Sequence, residues 1–284
     1  MTAFSPFAAA LEGVSVIRRE PKAVLGWTAV WMLVFVVNVA IQRFDTAPHA
    51  AESGVMGLLR RFGPLWPVVV VSLFLLWMMT TASIFRAVIK PDEHGWHLFR
   101  LGVDERRLMV LTIAAFMLIV ALGSVPAAIL LYVLFEPVLA VMPAFGKYTV
   151  AGGTLVTVVL EGWMALRLSL SAVHTFAEGR FHFLGYWQLT RGWAWTLFSI
   201  YFLVGLEILV VIAVIFGLAI PLIGLATSAL GAPVGPDLLR RILLLSLALT
   251  TAFILAVLFV VPIIIFCASQ AYAYRHIVAH QPVD

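Results

Sequence analysis

Two glutamates interrupt otherwise apolar stretches of this sequence. Glu161 follows a run ending in Val-Val-Leu, and Glu207 lies between a leucine and an isoleucine. A carboxylate in hydrocarbon is costly, so such a residue is by default a candidate for ion or proton binding. Each lies roughly 20 Å along its helix from the same membrane face, at 1.5 Å per residue. Facing each other at matched depth, the two groups would share a proton.

A structural interpretation of these charges is the alternative, and we favour it. Each glutamate would be protonated and hydrogen-bonded inside a helical bundle, where it stabilises helix packing. Arg167 is a third internal charge, six residues after Glu161, and i+3 and i+4 are the spacings that face each other on a helix. We therefore expect the Arg167 side chain to extend to the inner headgroups instead of pairing with Glu161.

Two arginine pairs form a second kind of candidate site. The letters Leu-Leu-Arg-Arg occur twice, ending in Arg60-Arg61 and in Arg240-Arg241, each just before an apolar stretch. Paired guanidinium groups suit phosphate, so these pairs are candidates for binding anionic lipid headgroups or an anionic substrate. The alternative, which we favour, is that they hold helix ends at headgroup depth, as interfacial arginines commonly do.

The remaining polar patterns favour neither catalysis nor metal binding. His94 and His97 lie one helical turn apart, a spacing that a metal could use, but a solvated surface turn is the favoured interpretation. The sequence contains no H-E-x-x-H, no G-x-S-x-G and no phosphate-binding glycine loop. Cys267 is the single cysteine. We therefore expect a protein that is not an enzyme and has no cofactor and no metal.

The composition suits lipid. Hydrophobic residues make up 63% of the chain and charged residues 11%. Segments of about 20 apolar residues can cross the bilayer as helices, and continuous apolar runs, unlike alternating ones, argue against a β-barrel. We predict an all-α, polytopic helical bundle in a single domain, 1–284. Its six predicted spans are 23–41, 64–85, 108–135, 148–173, 193–223 and 242–272.

The distribution of basic residues predicts the orientation. Most of the 18 Lys and Arg lie in the N-terminal arm, the second and fourth connections and the tail. Positive residues favour the cytoplasmic side, so we expect both termini in the cytoplasm. The pI near 9.5 reflects this topology, and we expect no nucleic-acid partner. The first apolar run starts only at residue 23 and is long, so we expect it to stay in the membrane.

Three segments outside the spans are predicted to be amphipathic helices on the membrane surface. Their apolar residues recur at helical spacing. Gly102 and Asp104 are expected to mark the turn into the third span, and Thr190 is expected to cap the fifth. The apolar positions are Phe4, Phe7, Leu11 and Val14 before Arg18 and Arg19, then Trp96, Phe99 and Val103, then Phe183, Leu184 and Trp187.

The order of these elements predicts a three-fold repeat. Each surface helix precedes a pair of spans, and the inner ends of the second helices correspond. Chance similarity between apolar segments is the alternative. The corresponding ends are Ser83-Ile84-Phe85-Arg86, Ser171-Ala172-Val173-His174 and Ser269-Gln270-Ala271-Tyr272.

The whole pattern resembles a broad group of poorly characterised bacterial integral membrane proteins. The group includes the YciC-like proteins and the membrane domain attached to some glycerophosphodiester phosphodiesterases. The residues that carry the resemblance lie in 86–107, 187–191 and 271–275, the last of which contains the terminal Tyr-Ala-Tyr-Arg. It implies a six-span fold in the bacterial inner membrane and no reaction, and without a hydrolase domain here we expect no phosphodiesterase activity.

The sequence therefore predicts a non-enzymatic inner-membrane protein that binds or organises lipids or a partner membrane protein. The expected partners are membrane lipids, with another membrane protein or a second copy of the chain as alternatives. The second functional hypothesis is a small transporter or lipid flippase that uses Glu161 and Glu207. A transporter needs a polar cavity that reaches the membrane midplane, whereas an organiser can be packed solid.

Overall fold

A computed structural model describes residues 5–44, 66–91, 102–121, 143–181, 189–231 and 237–279. Within these ranges the chain is almost entirely helical and has no strand, which confirms the predicted all-α class. The helices are α1 (Pro6–Ala10), α2 (Glu12–Arg19), α3 (Pro21–Phe44), α4 (Trp66–Ile89), α5 (Val103–Ile119), α6 (Pro143–Glu178), α7 (Ala194–Gly231) and α8 (Asp237–Ala279).

Four of these helices are long and apolar enough to cross a membrane. They contain the segments Pro67–Ile89, Gly152–Glu178, Ala194–Pro221 and Leu244–Ala279. A fifth candidate is the broken pair of α2 and α3, which bends by 95° at Glu20. The structure thus supports a multi-pass membrane protein with four or five spans in the described residues.

Only part of the predicted third span, 108–135, lies in a described helix. Helix α5 covers its first part and ends at Ile119, and the positions from 122 to 142 lie outside the described residues. The six-span count therefore stays a prediction. The predicted surface helices at 96–101 and 183–187 likewise lie outside the described residues.

The chain divides into two compact units. The first unit combines Met1–Arg100 with Ile200–Ser269, and the second combines Leu101–Ser199 with Gln270–Asp284. The boundaries fall inside α7 and α8, so both helices contribute to both units.

In the first unit, two indoles join α3 to α4. Trp27 donates its Nε1 hydrogen to the Ser83 hydroxyl at 3.3 Å, and Trp31 donates to the Thr80 hydroxyl at 3.3 Å. The later residue of α3 contacts the earlier residue of α4, so the two helices are antiparallel. Both indoles are fully buried, and a buried indole needs such a hydrogen-bond acceptor.

The last helix of the first unit packs on two neighbours. Residue numbers in the α4–α8 contacts increase together along the two helices, so α4 and α8 are parallel. By contrast, the beginning of α7 contacts the second half of α8, so α7 and α8 are antiparallel. The contacts are Thr81 with Cys267 and Trp77 with Phe259 between α4 and α8, and Tyr201 with Phe266 between α7 and α8. Cys267 is buried, as expected for a small apolar residue.

In the second unit, α5 and α6 form another antiparallel pair. The start of α5 meets the end of α6, where a Cβ atom at Gly179 would lie 3.5 Å from the Arg107 guanidinium. Gly179 has a φ of +63°, the left-handed conformation that ends many helices and that glycine adopts without strain. Its N–H bonds to the Thr175 carbonyl at 3.1 Å, so α6 ends at a defined point.

The boundary before α5 differs in detail from the prediction. The capping residue is Gly102, and the Glu105 carboxylate accepts the Gly102 N–H at 2.8 Å. Asp104, the predicted cap, lies in the first turn and instead forms a 3.3 Å ion pair with Arg107. A glutamate at the third helical position can reach back to the capping residue, which makes a side-chain cap at Asp104 unnecessary.

Burial is concentrated toward the C-terminal ends of α4, α6 and α8. The opposite halves of these helices expose apolar side chains. The buried residues include Ala82, Ile84 and Phe85 in α4, Leu170, Val173 and Phe176 in α6, and Ile264, Ile265 and Ala268 in α8, while the exposed ones include Val68 and Val71, Leu155 and Val159, and Leu244 and Leu245.

Candidate functional site

Glu207 lies in the middle of the candidate span of α7, which is the least covered of the candidate spans. Only 11% of the most apolar window of α7 is buried, yet Glu207 itself is half-buried. Its Oε2 atom is buried and has no hydrogen-bond partner among the described residues. A buried polar atom without a partner is costly, which makes this carboxyl group the strongest candidate for an unassigned ion or proton.

Glu161 lies within the candidate span of α6 and is also half-buried, between exposed apolar neighbours such as Leu160 and Trp163. It belongs to the second unit, whereas Glu207 belongs to the first. The structure therefore places both glutamates within candidate spans. The direct coupling between them stays a prediction.

Arg167 has a specific protein partner that sequence reasoning missed. Its Nη1 donates to the Thr190 hydroxyl at 3.1 Å, and its guanidinium lies 4.7 Å from the centre of the Trp163 ring. Thr190 is fully buried just before α7, so the bond ties α6 to the entry of α7. A guanidinium suits this geometry because it can donate a hydrogen bond and stack on an indole at once.

Thr190 does not occupy the capping position of α7. The helix begins at Ala194, and Trp193 occupies the capping position, since the Leu197 N–H bonds to the Trp193 carbonyl at 2.9 Å. The Thr190 carbonyl accepts the Trp193 N–H at 3.2 Å. The prediction of a Thr190 cap was wrong because the helix begins at Ala194, so the capping position is Trp193, three residues beyond Thr190.

The arginine pairs are only partly described. Arg240 and Arg241 lie in the first turns of α8, just before its candidate span begins at Leu244. Arg60 and Arg61 lie outside the described residues. Basic residues near a helix N-terminus oppose the helix dipole, which favours anions there. The headgroup-binding role of either pair stays a prediction.

A contact between His174, Tyr274 and Glu178 joins α6 to the end of α8 in the second unit. His174 Nδ1 lies 3.0 Å from the Tyr274 hydroxyl and 3.5 Å from the Glu178 carboxylate. A nucleophile–histidine–carboxylate relay needs both ring nitrogens, one for each partner. Here both partners approach the same nitrogen, so the cluster connects helices and is not a relay. The tyrosine stood out in the terminal Tyr-Ala-Tyr-Arg, but nothing in the sequence paired it with His174.

Metal binding finds no support within the described ranges, where no group of three or more histidine, cysteine or acidic side chains could hold an ion. His94 and His97 lie outside those ranges. Comparison of the chain with known protein families, characterised proteins and solved structures finds no significant match. The functional argument therefore rests on the residues of this chain alone.

Proposed function

We propose that this chain is a non-enzymatic, multi-pass protein of the bacterial inner membrane that binds and organises anionic lipids. It would have six spans, three interfacial helices and cytoplasmic termini. The observation that carries the proposal is the uncovered apolar surface of α7, whose candidate span is only 11% buried. A surface of this kind on a helix long enough to cross the bilayer is matched by acyl chains.

Packing at one end of the first unit supports an organiser over a conduit. The buried polar groups there are used within the protein, because the indoles of Trp27 and Trp31 donate to Ser83 and Thr80. The same indoles fill the space between helices, with the Trp31 ring 4.6 Å from that of Phe259. Aromatic rings packed against one another between helices are typical of a solid bundle, which is what an organiser requires.

The helix pairing supports the proposed repeat of hairpins. The pairs α3–α4, α5–α6 and α7–α8 are each antiparallel, as a repeated hairpin requires. The serines at the three proposed equivalent positions, Ser83, Ser171 and Ser269, are 7%, 2% and 0% exposed. Three polar residues that share a register and are all buried favour a common ancestral hairpin over chance similarity between apolar segments.

The position of Arg240 and Arg241 supports anionic headgroups as the ligand. Both residues precede the candidate span of α8 by one turn and lie at the end of α8 opposite to its buried core. Under the proposed threading this end faces the periplasm. Two adjacent guanidinium groups at headgroup depth bind phosphate by charge-assisted hydrogen bonds.

Lipid retention tests the proposal. Replacement of Arg60, Arg61, Arg240 and Arg241 by Gln should lower the amount of anionic phospholipid that co-purifies with the protein, as counted by mass spectrometry. The matched control replaces four exposed arginines on the predicted cytoplasmic side, Arg106, Arg180, Arg191 and Arg275, and removes the same charge. Equal lipid content in the two variants would leave the arginine pairs only an anchoring role.

A transporter is the second candidate, and the buried, unpartnered Oε2 of Glu207 is the observation that favours it. In this mechanism Glu207 and Glu161 carry a proton or cation through the bundle. Glu207→Gln and Glu161→Gln would each abolish protein-dependent ion flux in proteoliposomes without loss of folding. If both carboxyl groups serve packing only, the neutral isosteres keep most hydrogen bonds and behave like the parent protein.

A further inference from the structure

We infer that α1 and α2 form a lipid-binding surface in the cytoplasmic leaflet, with Phe7, Leu11 and Val14 against acyl chains and Arg18 and Lys22 at an anionic headgroup. This surface is distinct from the arginine pairs of the proposed function. It rests on the proposed function for the threading, with cytoplasmic termini and the N-terminal arm as one of the three interfacial helices, and not for the arginine pairs.

The pair α1–α2 is fixed to the protein by its small residues. Ala9, Ala10, Gly13 and Val16 are buried. Gly13 lies so close to α8 that a Cβ atom there would be 2.4 Å from the Ile265 Cα atom, and the Ser269 hydroxyl lies 3.4 Å from the Ala10 carbonyl. These helices are therefore a packed part of the first unit, close to the predicted inner end of the last span.

The opposite side of α1–α2 is apolar and uncovered. Phe7, Leu11, Val14 and Arg18 follow one another at i, i+4, i+7 and i+11, which places them on one face. Phe7 is 61% exposed and Leu11 41% exposed. Phe7 and Leu11, two of the four predicted apolar positions of the N-terminal arm, therefore point away from the protein, and the small residues between them make the contact with α8. Val14 is half-buried, and Phe4 lies outside the described residues.

The direction of α2 places this face beside lipid. Helix α2 bends by 95° from α3, so it lies along the membrane plane when α3 crosses the bilayer. A helix in that plane with one side against α8 turns its other side to the neighbouring lipids. Exposed apolar side chains at this depth favour acyl chains over water, since the hydrophobic effect opposes their hydration.

The charges select the headgroup. Arg19 is paired with Glu12 at 2.7 Å, whereas Arg18 and Lys22 have no ion pair among the described residues. Glu20, the nearby acid, follows the face of Gly13 and Val16 and not that of Arg18. The exposed apolar face thus ends at Arg18, and Lys22 follows just beyond the bend, at the start of α3. The complement of these two charges is the phosphate of an anionic phospholipid.

Spin labels on single cysteines test this arrangement in the full chain. The background is Cys267→Ala, with labels introduced by Leu11→Cys and Phe7→Cys at exposed positions. Two further labels calibrate the scale: Val158→Cys, exposed within the α6 span, and Arg191→Cys, exposed in the connection before α7. In nanodiscs, collision with oxygen reports hydrocarbon, and collision with a water-soluble nickel chelate reports the aqueous phase.

Labels at positions 7 and 11 should behave like the one at 158, with oxygen favoured over nickel. Behaviour like that of position 191 would place the face in water and overturn the inference. Protection from both reagents would mean that a protein covers the face, which overturns the inference as well.

Arg18→Gln with Lys22→Gln should lower the preference for anionic over zwitterionic lipid by about fivefold per residue, and an unchanged preference would refute the headgroup assignment. The labels report α1–α2 alone, so their result is independent of the pairs Arg60-Arg61 and Arg240-Arg241.

Discussion

Replacing Gly13 by alanine should separate α2 from α8 and destabilise the first unit. The added Cβ would lie 2.4 Å from the Ile265 Cα atom, and ordinary contact begins at 3.4 Å, so the two helices must move apart by about 1 Å. Because the obstructing atom is backbone, no rotamer change relieves it. Overpacking of this kind costs about 1–3 kcal/mol.

A matched control isolates the contact. Gly205 in α7 has no atom within 4 Å of its would-be Cβ, so Gly205→Ala gains the same helix propensity without a clash. The difference in unfolding free energy between the two variants should therefore be about 1–3 kcal/mol, measured by denaturant titration of tryptophan fluorescence in one detergent. Ile265→Ala should not rescue Gly13→Ala, since its Cα remains. Equal stability of the two glycine variants, or rescue by Ile265→Ala, would refute the backbone contact.

Two further predictions concern hydrogen bonds between helices. In a double-mutant cycle, Trp27→Phe and Ser83→Ala should show a coupling of about 0.5–1.5 kcal/mol, and strict additivity would contradict the 3.3 Å bond between the two side chains. Arg167→Lys should destabilise the second unit by about 1 kcal/mol, because lysine keeps the charge but loses the planar stacking on Trp163. A side chain that only extends to headgroups would tolerate lysine, so an unchanged unfolding midpoint would restore that interpretation.

Hydropathy predicted most of the long helices because lipid imposes a simple length requirement. The predicted spans 64–85, 148–173, 193–223 and 242–272 each lie almost wholly within one helix, α4, α6, α7 or α8. Helices α7 and α8 extend beyond their predicted apolar spans. A helix can continue past its apolar residues because each further residue adds a backbone hydrogen bond. Their ends were therefore less predictable than their existence.

Contacts between distant parts of the chain were not predictable in the same way. Periodicity identified Phe7, Leu11 and Val14 as one face but did not reveal that Gly13 and Ala10 would meet α8. Likewise, the sequence marked Arg167 as an internal charge without indicating Thr190, 23 residues away, as its partner. Such contacts depend on how helices pack, and a single sequence with no matching relatives carries no signal of that packing.

The threading of the chain through the membrane is the claim on which both lipid-binding proposals depend, and cysteine labelling tests it most directly. On a Cys267→Ala background, single cysteines replace Leu238 beside the outer arginine pair and Arg191 on the predicted inner side. A membrane-impermeant thiol reagent applied to intact spheroplasts should label position 238 at once and position 191 only after lysis. A periplasm-dependent reporter fused after Asp284 should be inactive. Labelling of position 191 from outside, with position 238 protected, would reverse the threading and contradict both proposals.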